Sequence, residues 1–289
     1  MKISHYYRRS AHLRSGALAV DSAFNAPGRR PALRGGAASL AIFMVAALGL
    51  AGFAAAPIQG MLVIVGGGTT PEGLHGKMLT LAGGTNANVL VIPFASSSTN
   101  NGKPSVEAFR KAGGACVATL MTNDSQRALA AVRAAELIWF PGGDQTRLMN
   151  ELKRLGLVES IRERYGQGAV VGGTSAGAAV MSKVMITGTG EAKDGKIAPP
   201  LADGLGLWPG VIVDQHFVKR GREPRLRGAV AAHSELLGVG IDESTFVIVK
   251  GNAFEVGGTS TVLVLDARDD GKIKHTELSA GGKFESGGK

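Results

Sequence analysis

Ser175 stands in AVVGGTSAGAAVM (169–181), among glycines, alanines and a single threonine. The pentad Gly173-Thr174-Ser175-Ala176-Gly177 fits G-x-S-x-G, in which a serine is presented on a tight strand-to-helix corner as a nucleophile. Small neighbours suit that position. A residue at such a corner holds a strained backbone, and bulky flanks would collide with the turn or with a substrate. The helix that follows offers unpaired N–H groups, so the Ala176 N–H is a candidate oxyanion donor. A glycine-rich turn whose serine only caps a helix would share the pattern. The serine therefore needs a base and an acid before it means catalysis.

Four histidines lie beyond residue 56: His75, His216, His233 and His275. His216 closes VIVDQH, at the expected carboxyl end of a buried strand, and is the candidate base. His233, in AVAAHSELL, reads as a helix-surface residue. His75 and His275 sit in polar contexts and read as structural or solvated. For the orienting acid, GVGIDESTF (238–246) offers Asp242 and Glu243 after another apolar run. Spacing does not choose between them, and adjacent acids ordinarily form a solvated turn. The order serine, histidine, acid also differs from that of α/β-hydrolases, where the acid precedes the histidine.

The elements that must hold these residues are legible as apolar runs. MLVIVGG (61–67), NVLVIPF (88–94), ACVATLM (115–121), ELIWF (136–140) and AVVGG (169–173) lack polar alternation, as strands covered on both faces do. Between them SVEAFRKAGG, DSQRALAAVRAA and DQTRLMNELKRLGLVESIRERYG place apolar residues at helical spacing. This rhythm predicts an α/β fold with a doubly wound, mostly parallel sheet, whose ligands lie beyond the carboxyl ends of the strands. Residues 254–256 and 261–265 flank Gly257-Gly258 and predict a C-terminal β-hairpin. The run ACVATLM also predicts a buried, structural Cys116, and one cysteine excludes an internal disulfide.

Two domains follow from composition. Residues 1–56 form a basic tail with an uncharged run, AASLAIFMVAALGLAGFAAA (37–56), behind Arg29, Arg30 and Arg34. Charge, apolar run and small residues in that order predict an export signal, or an uncleaved membrane anchor if the run spans a bilayer. GRRPALR loosely resembles a twin-arginine signal. The expected location is periplasmic or extracellular, with or without a membrane tether. This tail holds a net +6 of the chain's +9, so the basic pI of about 9.8 implies no nucleic-acid partner. Residues 57–289 are long enough for one domain with a substantial core. A homodimer is the expected assembly where the chain self-associates.

GGTSAGAAVMS, GLGLWPGVIVDQHFVKRGREPRL and GVGIDESTFVIV together resemble cyanophycinase and its relatives in serine peptidase family S51, over the chain from about Met61 to its end. The resemblance implies a fold like the class I glutamine amidotransferases, and an exopeptidase that releases β-Asp-Arg dipeptides from an aspartate polymer bearing arginine. It implies Ser175 as nucleophile, His216 as base and Glu243, not Asp242, as acid. It also points to Gln145 in PGGDQ, Asp214 and Gln215 as substrate-binding, Asp214 by pairing with a substrate guanidinium. Arg220, Arg222 and Arg225 match the pattern too; cations at a helix start oppose its dipole, so a substrate carboxylate is expected there. Lys219 and Arg227 are left as surface. The loop VGGGTTPEG departs from the family by its Thr69-Thr70, while Gly67 or Gly68 remains able to complete the oxyanion hole. It lacks G-x-G-x-x-G spacing, so no dinucleotide is implied, and neither cofactor nor metal is expected. The alternatives are an aspartyl or isoaspartyl dipeptidase of the same family, and a non-catalytic binding protein on the same scaffold.

Overall fold

The computed structural model describes residues 60–98, 100–193 and 196–285. The basic tail and its apolar run lie outside the described residues. Strand and helix alternate through β1 (Met61–Val65), α1 (Leu74–Leu81), β2 (Asn88–Val91), α2 (Lys103–Lys111), β3 (Cys116–Thr119), α3 (Ser125–Ala134), β4 (Leu137–Phe140), α4 (Gln145–Arg154), α5 (Val158–Gly166) and β5 (Val170–Thr174), then a short α6 (Ala176–Ala179). The second half is strand-rich: β6 (Val184–Ile186), β7 (Glu191–Lys193), β8 (Lys196–Ala198), β9 (Leu201–Asp203), β10 (Val211–Gln215), α7 (Glu223–Ala232), β11 (Leu237–Ile241), β12 (Thr245–Lys250), β13 (Ala253–Gly258), β14 (Val262–Asp266), β15 (Lys274–Leu278) and β16 (Lys283–Glu285).

The large sheet runs β16-β13-β12-β1-β5-β4-β2-β3, with β1 to β5 mutually parallel and β12, β13 and β16 added antiparallel at one side. Side chains alternate across it. Leu62 and Ile64 of β1 join the core under α3, α4 and α5, whereas Val63 and Val65 pack with Leu74, Met78 and Phe109 of α1 and α2. Both faces are covered, which is why these strands read as unbroken apolar runs.

Two expectations need correction. The segments 254–256 and 261–265 do not pair with each other. β13 folds back on β12, and β14 belongs to a second sheet of order β10-β11-β14-β15, where its hairpin partner is β15. After Gly258 the chain crosses between sheets. Cys116 is exposed, because β3 is the sheet edge and only Val117 of that strand is buried. The long helical stretch 144–166 is two helices, broken at Gly156 with φ 70°.

Candidate active site

Small residues at 173–177 are a packing requirement. A Cβ on Gly173 would lie 2.4 Å from the Gly177 carbonyl oxygen, and one on Gly177 would lie 2.1 Å from that of Phe140. Ser175 caps β5 at φ 55°, ψ −112°, and its side chain makes no capping hydrogen bond to α6. The hydroxyl is directed elsewhere. His216 Nε2 lies 2.9 Å from Ser175 Oγ, and His216 Nδ1 lies 2.6 Å from Glu243 Oε1. A carboxylate only accepts, so Nδ1 carries the proton and Nε2 is free to accept from the serine.

The candidate nucleophile and base come from different sheets. Ser175 ends β5 of the large sheet, His216 follows β10 of the small one, and Glu243 follows β11, the parallel neighbour of β10. The seam between them is the end of β1. The Ser175 N–H donates to the Val65 carbonyl (3.2 Å), that of His216 to Gly66 (2.6 Å) and that of Ser244 to Gly67 (2.9 Å). A Cβ at Gly66 would stand 2.1 Å from the Asp242 carbonyl oxygen, so only glycine lets the sheets approach this closely. Among the described residues the non-glycine positive φ values are at Ser175 (55°), His216 (48°) and Ser244 (54°). Backbone strain is concentrated on Ser175, His216 and the neighbour of Glu243, each held by that seam.

The imidazole is pushed below its ordinary pKa of 6.5, first by burial and then by the charges of Arg220 and Arg222, against the opposing hydrogen bond and charge of Glu243. It is therefore neutral, and competent as a base, at neutral pH. Arg222 itself is pushed down to about 10, by burial first and next by Arg225, and remains a cation. Its guanidinium donates to the Gln215 carbonyl at 2.7 Å.

Asp242 and Glu243 separate cleanly. Asp242 is buried and points away from the histidine, accepting from the Lys219 N–H (2.9 Å) and the Ser260 hydroxyl (2.7 Å). Burial pushes its pKa up, but these hydrogen bonds outweigh it and the net shift is downward. Asp242 ties the loop after the base to the turn that bears the acid.

The remaining expected site residues divide. Asp214 is 1% exposed and is already occupied, with Arg225 Nε and Nη2 donating to its two oxygens at 2.8 and 2.5 Å. It is not open to a substrate guanidinium, and Arg225, 6% exposed, is not open to a substrate carboxylate. The sequence missed this because their pairing spans a strand and a helix start. Arg220 is exposed and Arg222 half-buried beside the base, so the cationic patch reduces to those two. Arg227 pairs with Glu223 at the surface and Lys219 is exposed, as expected. Gln145 opens α4 and donates its amide to the Ile186 carbonyl at 2.9 Å. Gln215 is buried with its Oε1 unpartnered among the described residues, an acceptor that a bound donor would satisfy. Ala176 begins α6 directly after the serine. Gly67 lies against the imidazole, where a Cβ would come 2.3 Å from Cε1. The glycine beside the nucleophile is instead Gly142, whose Cβ would sit 3.3 Å from that of Ser175. The sequence signal for it was available in PGGDQ, directly after β4. His233 caps α7 beside Glu235, and His275 is exposed on β15.

A doubly wound α/β sheet with a strained serine, a neutral histidine and a carboxylate in one hydrogen-bonded line defines a serine-type hydrolase. The comparisons place it more narrowly. The model of Peptidase family S51 matches residues 61–257, and the chain belongs to that family. It is 36% identical over 238 residues to a cyanophycinase of Geminocystis herdmanii, covering 77% of this chain and 86% of that one. It is 35% identical over 226 residues to a cyanophycinase of Synechococcus elongatus, covering 73% and 69%. Peptidase E of Salmonella arizonae is 29% identical over 165 residues, 54% of this chain and 68% of the other. The crystal structure of a peptidase from an acI-B1 Actinobacterium shares the fold with a TM-score of 0.58, at 23% identity over 79% of this chain and 98% of its own.

Proposed function

We propose that this serine peptidase hydrolyses cyanophycin to β-Asp-Arg dipeptides, with Ser175 as nucleophile, His216 as base and Glu243 as orienting acid. The observation that carries the catalytic part is the relay of 2.9 and 2.6 Å from serine to carboxylate. In the first step His216 Nε2 takes the Ser175 proton as Oγ attacks the scissile carbonyl carbon. The oxyanion accepts from backbone N–H groups beside the serine, those of Ala176 and of the nearby glycines Gly142 and Gly67 being the candidates. The imidazolium, steadied by Glu243, then returns its proton to the leaving amine as the C–N bond breaks. Water, deprotonated by the same nitrogen, hydrolyses the acyl-serine and restores the hydroxyl.

Arg220 and Arg222 suit the carboxylates of such a substrate, and the unpartnered Gln215 Oε1 suits an N–H donor such as a guanidinium. Relatives that bear the name cyanophycinase at 35–36% identity support the polymer, over a larger share of the chain than Peptidase E does. Incubation of purified protein with cyanophycin, followed by mass spectrometry, should yield β-Asp-Arg, and Ser175→Ala should yield none. Cleavage of small aspartyl dipeptides with the polymer left intact would replace this reading with the dipeptidase one. Export is a separate proposal, supported by the 37–56 run and its arginines alone. Cell fractionation with intact-mass analysis distinguishes a cleaved signal from a retained anchor and from cytoplasmic protein.

A further inference from the structure

The loop that departs from the family opens onto a cavity of its own. About 690 Å³ in volume, it lies between the segment after β1 and helix α2, and Trp139 and Thr174 line it from the ends of β4 and β5. None of the triad residues lines it, but its lining adjoins them along the chain. Thr174 immediately precedes the nucleophile, and Gly68, against Glu243, immediately precedes Thr69 and Thr70. Asn101, just before α2, donates to the carbonyl of Gly142, the glycine beside Ser175.

The lining is largely apolar, with both signs of charge among its residues. Glu72 and Lys111 border the cavity, both exposed, and among the described residues neither is in an ion pair. The Thr174 hydroxyl oxygen is buried and unpartnered. Ser105 accepts the Trp139 indole N–H at 3.1 Å, which leaves its own proton to donate. A cavity of this size accommodates a dipeptide-sized group.

We propose that this cavity is a second substrate subsite, taking a neighbouring arginyl unit of the polymer with its guanidinium toward Glu72 and its carboxylate toward Lys111. The inference rests on the cyanophycin reading. Each repeat bears one guanidinium and one carboxylate, and the cavity offers one complementary group for each. The site also gives the Thr69-Thr70 departure a role, as hydroxyls lining the approach.

The test compares kcat/KM on β-Asp-Arg oligomers of two and four units, since the shorter one cannot fill the subsites on both sides of the scissile bond and this cavity as well. Wild type should prefer the longer oligomer. Glu72→Gln and Lys111→Met, at exposed and unpaired positions, should each lower that preference by about five-fold, the scale of one solvent-exposed charge pair. Thermal melts confirm that both variants fold. A fall in either variant supports the subsite. A ratio held at the wild-type value in both, or no length preference in wild type, overturns it while cleavage of both oligomers leaves the cyanophycin reading standing. Failure of wild type to cut either oligomer overturns both.

Discussion

At the scale of single residues, the two adjacent acids differ by what each touches. Glu243 holds the imidazole and Asp242 holds the loops. Glu243→Gln keeps the shape but loses the charge that steadies the imidazolium, so kcat should fall by roughly 10³–10⁴ with little change in melting temperature. Asp242→Asn should do the reverse, lowering stability by about 1–3 kcal/mol through weakened charge-assisted bonds, with the smaller effect on kcat. Kinetics and thermal melts on both variants check this, and a larger kcat loss in Asp242→Asn would move the acid by one residue. The lowered pKa of His216 fixes a second expectation. A base held neutral by burial and by Arg220 loses activity only as pH falls through its own pKa, so the acid limb of kcat/KM should lie below 6.5. Arg220→Gln removes one of the lowering charges, and the limb should move toward higher pH. A limb that stays in place in this variant would mean that Arg220 does not act on the base.

At the scale of elements, the base is positioned by β10 and α7 as a unit. Asp214 at the end of β10 and Arg225 in the first turn of α7 form a bidentate pair, and Arg225 also donates to the Gly188 carbonyl at 3.1 Å. The pair thus joins the base's strand, the following helix and the loop ahead of β7. Buried pairs of this kind add little over an apolar replacement, but removal of one partner strands a charge. Asp214→Asn or Arg225→Met should each destabilise the fold by about 3–5 kcal/mol, read by urea denaturation. Their effect on the ratio of kcat/KM for β-Asp-Arg and β-Asp-Leu peptides should be small, because neither group is open to substrate.

At the scale of the whole molecule, the described residues contain two sheets that meet at the end of β1, with the triad assembled across the meeting line. Among them no helix is long and apolar enough to cross a membrane. The sheets and the Ser175–His216–Glu243 relay lie within residues 60–285, so a chain beginning at Pro57 should fold and retain the kcat/KM of the longer protein. Circular dichroism and the oligomer assay check this, and a truncated chain that fails to fold would assign residues 1–56 a structural role.

The sequence by itself determined β1, β2, β4 and β5, since burial of both faces makes each run largely apolar and the pattern is local. It singled out Ser175 as a candidate for the same reason. The steric demands of the corner fall on residues 173–177 themselves, and their small side chains record them. His216 was legible from its place at the end of β10. Tertiary structure alone decided the rest. VIVDQ and TFVIVK have equally apolar patterns, yet one strand enters the small sheet and the other the large one, because strand partners are set by contacts distant in sequence. ACVATLM reads as buried only until β3 is known to be the edge. The Asp214 carboxylate looked available because its partner lies 11 residues away on another element. Glu243 and Asp242, being neighbours, point different ways, and only the turn across the seam, pinned by Gly66 and Gly67, decides which of them meets the histidine.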